Sequence, residues 1–428
     1  MEILVYMQIF DNIIYAVLYR FLPSFTAYKT YILALAVITS LAILSEIVKR
    51  KGKVPSNFCI YFLIYSFVIF SYYAVTPIFY SVNSVSSRTG SLLSLVGQVL
   101  PNALFACFVA ENDEMQIRVK KLAPVVGVIL AITALLGTLF PDTTTSVGLL
   151  SNEGGLGYQR LSYMAAYSAA LMEYYLLTRD QTVQLNFLTE KLGSIISAIV
   201  IFVDLVVTLV SGGRGGFVAY ILFFGISILF AIRFGFYDIK KGFSVLIIGS
   251  LSVIAANYGF SYVSNISTAK KGFGRLLTFI NGGGDIRRFD KYLAAWDVFS
   301  QKPIWGHGFG SVYYEFGQYT HNFFTDALVE GGLVLVIIIL LVLAYSMFAS
   351  LQIIKNDKTD LIWIYFFLCG FILSLFSGYY LTQIPLWWGL FFILAKIKRL
   401  YKELKEKVAL EESMQENDES EERVDDGH

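Results

Sequence analysis

Residues 258–320 read YGFSYVSNISTAKKGFGRLLTFINGGGDIRRFDKYLAAWDVFSQKPIWGHGFGSVYYEFGQYT. Apart from the charged C-terminal tail, this is the only long hydrophilic stretch in the chain. Apolar segments long enough to cross a bilayer flank it on both sides. It carries Arg275, Arg287 and Arg288, and it leads into His321-Asn322 at the mouth of the next apolar helix. A long folded loop at one face of a membrane protein is where aqueous chemistry can be done, so the rest of the chain reads as a scaffold around it.

Working outward, span-grade segments lie near 30–48, 57–75, 91–110, 122–140, 160–178, 192–211, 214–232 and 242–257 before the loop. After it come 322–350, 361–377 and 384–398. Hydrophobic residues make up 56% of the 428-residue chain and charged residues only 15%, against roughly 25% charged in a soluble domain. The expected fold is an all-α polytopic membrane protein with about 11 or 12 transmembrane helices and one large extracytoplasmic loop. The twelfth would be 5–22, apolar but carrying Asp11 and Arg20, which reads as a span or as an interfacial helix. Alternating short strands of a β-barrel are absent. No basic start with a small-residue cleavage site follows Met1, so no removed leader is expected. Four regions result: N-terminal spans over 1–257, the loop over 258–320, C-terminal spans over 321–400, and a charged tail over 401–428. The tail is expected to be a fraying helix passing into disorder.

Lys and Arg decide orientation. Lys49 to Lys53, Arg118 to Lys121, Arg179 to Lys191, Arg233 to Lys241, Lys355 with Lys358, and Lys396 to Lys407 all fall on one side of the alternation. That side is read as cytoplasmic. The loops 76–90, 141–159, the turn 211–214, 258–320 and 378–383 then face outward. A net charge of +1 argues against nucleic acid or another polyanionic partner. The three cysteines, Cys59, Cys107 and Cys369, sit in apolar runs and read as small core residues. With only three histidines and no D-x-D in an outer loop, no metal or other cofactor is expected.

Ser211-Gly212-Gly213-Arg214-Gly215-Gly216 joins two spans. A guanidinium at the start of a helix, beside glycines that bare backbone N–H groups, is an anion site, and its fork suits phosphate. The competing reading is an arginine against lipid headgroups. Arg160, at the start of the helix after the second outer loop, is a second outer arginine. Arg160, Arg214 and Arg287 or Arg288 would converge on one diphosphate; the competing reading of Arg287 is a solvated charge. Residues 288–299 have helical spacing, with Tyr292, Ala295, Trp296 and Phe299 on one face of an amphipathic helix at the membrane surface. Pro303, Gly306, Gly308 and Gly310 read as a structural turn, and His307 within it as non-catalytic. His321 suits a general base or a helix cap, with Asn322 or Asp326 orienting it or holding the helix end. Asp204 and Glu173, carboxylates inside spans, are functional candidates by default, against a structural reading.

The glycine-arginine turn between spans, a long outer loop with Arg288-x3-Tyr292 and Pro303-x-x-Gly306-x-Gly308, and His321-Asn322 opening the next span together resemble the bacterial O-antigen ligase and polymerase superfamily. The resemblance runs from about Ser211 to Leu333. It implies transfer of glycan from an undecaprenyl diphosphate carrier at the outer face of the bacterial cytoplasmic membrane. By position, Arg214, Arg288 and His321 match the superfamily's turn arginine, loop arginine and loop-end histidine, and would be catalytic. Arg160, Arg287, Arg275 and Asn322 would bind substrate. The implied partners are an undecaprenyl-diphosphate-linked oligosaccharide, membrane lipid, a chain-length regulator and a flippase. A polymerase, for O-antigen or capsular polysaccharide, is the expectation; a ligase acting on lipid A core or protein is the alternative. A polysaccharide-lipid transporter is a third reading, disfavoured by the absence of an internal repeat.

Overall fold

The computed structural model describes residues 1–21, 28–55, 57–64, 66–67, 97, 99–139, 158–178, 190–235 and 286–425. The expected span 242–257, parts of 57–75 and 91–110, and Arg275 lie outside them. Among the described residues there is no strand. The helices are α1 (Glu2–Ile9), α2 (Asp11–Phe21), α3 (Tyr28–Lys49), α4 (Leu100–Ala110), α5 (Asp113–Leu139), α6 (Tyr158–Thr178) and α7 (Glu190–Ser211). They continue with α8 (Arg214–Phe234), α9 (Ile286–Gln301), α10 (Ser311–Phe316), α11 (Phe323–Asn356), α12 (Leu361–Phe376) and α13 (Ile384–Asp425). Six helices among the described residues are long and apolar enough to cross a bilayer. The protein is an all-α polytopic membrane protein.

The stretch 5–22 is divided at Phe10 into two helices of 8 and 11 residues. The charged tail differs from expectation too: α13 runs unbroken to Asp425. Ion pairs one turn apart, Arg399–Glu403, Lys402–Glu406 and Lys407–Glu411, support this helix where no core does. Cys107 and Cys369 are buried as expected, whereas Cys59 is exposed.

α6 is the centre of the bundle, packed against α5, α7 and α8. Nearly all of it is buried, from Leu161 to Thr178. Its core stretch, Ala165-Ala166 and Ser168-Ala169-Ala170, is small, which lets neighbouring helices approach closely. Protein instead of lipid surrounds α6, so it tolerates tyrosines, serines and Glu173. Ser227 of α8 donates to Glu173 Oε2 (2.5 Å) and meets the Tyr365 hydroxyl of α12, which ties three helices together. Asp204 of α7 is fully buried. The outer helices show apolar side chains to the surroundings, such as Leu41, Ile199, Ile232 and Leu341, as lipid-facing surfaces do.

Among the described residues, the basic segments at 49–53, 118–121, 355–360 and 396–407 meet at one end. Lys120 of α5 pairs with buried Asp360 (2.6 Å) and with Asp357 (2.9 Å). Lys396 of α13 reaches Asp360 (3.4 Å), Arg399 pairs with Asp113, and Arg50 pairs with Glu111 (2.8 Å). This charged cluster closes one end of the bundle.

At the other end α11 is broken. Gly332 has φ 60 and ψ −158, a conformation open essentially to glycine alone. The break separates a span of about 36 Å (333–356 at about 1.5 Å per residue) from an N-terminal arm, 323–331. Leu333 N and Val334 N would ordinarily donate to the carbonyls of Val329 and Glu330. They donate instead to Pro303 O (2.8 Å) and Ile304 O (3.2 Å), while His307 N and Gly308 N donate to Val329 O (2.8 Å) and Glu330 O (2.7 Å). The turn 303–308 thus replaces a turn of helix. A Cβ at Gly332 would collide with the Ile304 carbonyl. This glycine turn is structural, as the sequence suggested. His307 is buried within it, its Nε2 bonded to Val298 O (2.7 Å).

Lys120→Ala strips fully buried Asp360 of its nearest cation. It should cost about 3–5 kcal/mol, read as thermal unfolding in detergent, and Lys120→Met with Asp360→Leu should restore most of that. Gly332→Ala should lower the thermal midpoint markedly through strain of about 1–3 kcal/mol and the clash with Ile304. Gly225→Ala in α8, where a Cβ meets open space, should leave the midpoint level or raised.

Candidate functional site

Arg160 and Arg214 are positioned by α6. Its first turn carries Arg160, and two residues later the Ser162 hydroxyl donates to Gly213 O (2.7 Å). A Cβ at Gly216 would run into Ser162, so the close approach of the 211–216 turn to α6 depends on that glycine. Arg214 is the first residue of α8 and Gly213 its N-cap. Arg160 and Arg214, both half-buried, therefore flank one seam between two helix starts. The positive ends of α6 and α8 add to their charge.

The same seam leads to His321. The Tyr163 hydroxyl meets Ser377 Oγ (3.1 Å), and the Tyr319 hydroxyl donates to Ser377 O (2.8 Å). The Tyr319 ring meets the His321 imidazole edge to face at 4.4 Å. Arg160 and Arg214 are thus linked to His321 through Tyr163, Ser377 and Tyr319. α6, α8, α12 and the arm of α11 all end here.

His321 is held from both sides. Its φ of 68 is left-handed, uncommon for a non-glycine residue though less so for His. Asn322 caps α11, its Oδ1 accepting from Phe324 N (3.0 Å) and Thr325 N (3.1 Å). Asp326, fully buried, accepts from Thr320 N (2.8 Å) and Thr320 Oγ1 (2.7 Å). The residue before the histidine is thereby clamped to the first turn of the helix after it. The half-buried imidazole is presented at a bend whose backbone is fixed on both flanks. Such a group can take a proton from a hydroxyl brought against it.

Arg287 and Arg288 lie in the first turn of α9. This helix rests on the arm of α11, with Ala295 buried in a small cluster with Val312 and Val329, and Phe299 is buried as well. The expected apolar face is narrower than its spacing suggested, because Trp296 is exposed. Residue 296 is one position around the helix from the 295–299 stripe, and no element among the described residues buries it.

Sequence reading missed the linkers. Tyr163, Ser377, Tyr319, Tyr379 and Tyr380 carry no motif, although Ser377-Gly378-Tyr379-Tyr380 is a polar, tyrosine-rich turn between two apolar spans. Glu330 was visible only as a carboxylate inside an apolar run.

Residues 198–340 match the Wzy_C family model, described as O-antigen ligase. The matched segment holds Arg214, Arg288 and His321, while Arg160, Tyr163 and Ser377 fall outside it. No curated protein and no solved structure matches the chain. The family's activity is glycosyltransferase-type transfer in O-antigen processing, and its match does not separate polymerase from ligase. Over residues 198–340, from within α7 through His321 into the α11 span, the chain is similar to the O-antigen ligase and polymerase superfamily.

Proposed function

We propose that the protein is a polysaccharide polymerase acting at the outer face of the cytoplasmic membrane. It transfers glycan from undecaprenyl diphosphate to a sugar hydroxyl of another lipid-linked repeat unit. The observation that carries this reading is the seam joining Arg160 and Arg214 through Tyr163, Ser377 and Tyr319 to His321.

In this reaction the acceptor oxygen attacks the anomeric carbon and the bond from that carbon to the diphosphate breaks. The leaving diphosphate takes the electron pair and the hydroxyl proton passes to His321. Charge develops on the bridging oxygen, where the guanidinium groups of Arg214 and Arg288 stabilise it. Arg160, Arg287 and Arg275 hold the remaining phosphate oxygens. Asn322 keeps the histidine bend in place and borders the acceptor. Attack from the face opposite the leaving group inverts the anomeric carbon. A donor carried on a polyprenol suits a site at one end of an apolar helix bundle, where α6, α8, α12 and the arm of α11 end. A flippase would supply the donor, and a chain-length regulator would act on the growing product.

Ligase activity toward lipid A core or protein is the second reading, favoured by the His321-Asn322 pair and by the description of the matched family. Proteoliposomes holding the purified protein and an undecaprenyl-diphosphate-linked repeat unit separate the two. A ladder of chain lengths supports the polymerase, and a single product formed only when lipid A core is added supports the ligase. Substrate crossing the vesicle wall with no new glycosidic bond would overturn both.

Arg214→Ala and Arg288→Ala should each reduce transfer at least about 100-fold with normal membrane insertion; wild-type rates in both would remove the diphosphate clamp. His321→Ala should lower kcat by about 10²–10⁴ while the donor KM stays near wild type. A defect confined to KM would argue against a base.

A further inference from the structure

Glu330 lies on the arm of α11, buried to 1% exposure. Its carboxylate accepts three hydrogen bonds from three residues in two other parts of the chain. The Tyr379 hydroxyl donates to Oε1 (2.6 Å), Gly310 N donates to the same oxygen (2.8 Å), and the Tyr380 hydroxyl donates to Oε2 (2.7 Å). Gly310 ends the turn that fills the break in α11. Tyr379 and Tyr380 belong to the short connection between α12 and α13.

The two tyrosines reach the histidine from opposite sides. The Tyr379 ring stacks on Tyr319 (6.4 Å), and Tyr319 meets the imidazole at 4.4 Å. Tyr313 packs edge-on against Tyr379 at 5.1 Å and closes the back of this group. The Tyr380 ring packs on Phe323 (5.1 Å), two residues after His321 and the first of α11. A hydroxyl proton aimed at Glu330 therefore sets the tilt of each ring that braces the histidine bend.

A carboxylate is needed for this in a way that an amide is not. In its ionised form this carboxylate only accepts, so that form holds both tyrosine protons and the Gly310 N–H pointing inward. A glutamine would present two donors on one end and leave Tyr380 or Tyr379 to turn its hydroxyl. Filling the same space with an apolar side chain would keep the packing and lose both orientations. A carboxylate kept in a buried place, at a substantial desolvation penalty, fits a requirement for direction in addition to volume.

We propose that Glu330 is the positioning residue for His321, acting through Tyr379 and Tyr380 without touching substrate. This rests on the reading of His321 as the base. The test is initial-rate transfer from an undecaprenyl-diphosphate-linked oligosaccharide in proteoliposomes, with thermal unfolding of each variant in detergent. Glu330→Gln should lower kcat at least about 10-fold, a fraction of a general base's full effect, with donor KM within about 2-fold. Tyr379→Phe and Tyr380→Phe, which keep the rings, should each lower kcat less, and the double variant should match Glu330→Gln. Adding Glu330→Gln to His321→Ala should cost no further activity, because interacting residues fail to add. Wild-type kcat in Glu330→Gln would overturn the proposal, and so would the same fold-loss in the His321→Ala background as in wild type. Should Glu330→Gln fail to fold, the two phenylalanine variants decide the matter by the same criteria. An inactive wild-type protein would instead defeat the reading of His321 and of the enzyme, which keeps the two failures apart.

Discussion

A helix interrupted at the edge of a bilayer must find new partners for the backbone groups it frees, since neither lipid nor a neighbouring side chain replaces them cheaply. The break at Gly332 meets that demand by exchange. Two amides of α11 turn to the carbonyls of Pro303 and Ile304, and two carbonyls of α11 receive the amides of His307 and Gly308. The end of the outer loop is thereby built into the helix. The arm that carries His321 leaves the span at a fixed angle, and α9, with Arg287 and Arg288 in its first turn, lies on that arm. The histidine would not be held beside the arginine seam if α11 ran straight.

The opposite constraint acts on α6. It is enclosed by other helices, so it can carry serine, tyrosine and glutamate where a lipid-facing helix could not. The same polarity supplies Ser162 and Tyr163 near its N-terminus, the two residues that join the Arg214 turn to the Ser377 connection. Scaffold and site are in this respect made of one helix. Its small residues bring α5, α7 and α8 close, and its first turn places Arg160 beside Arg214.

The site divides the work between groups that hold and groups that act. Asn322 and Asp326 fix the backbone around His321, and Glu330 fixes the rings around it. All three lie within nine residues after the histidine, on a helix arm that the break at Gly332 frees from the span. Carboxylates placed this way serve orientation; the positive charge near them comes from the arginines and the helix starts.

Apolar runs of bilayer length and the one-sided distribution of Lys and Arg were enough, from the sequence alone, to establish a polytopic helical protein with its basic loops gathered at one end. That follows because hydrophobicity and charge act residue by residue on transfer into lipid and need no knowledge of neighbours. The places of Arg214 and His321 at helix starts were legible for a related reason, since each is a polar residue beside an apolar run. The linkers were not legible. Tyr163, Ser377, Tyr319 and Tyr379 become a chain only when segments 214 and 58 residues apart in sequence meet at one end of the bundle. The three donors to Glu330 were hidden likewise, because a hydrogen bond between remote segments leaves no periodicity in either of them. The tertiary structure alone decided which tyrosines brace the histidine and which arginines share its seam, because packing angle, the break at Gly332 and the small residues of α6 bring those side chains within reach.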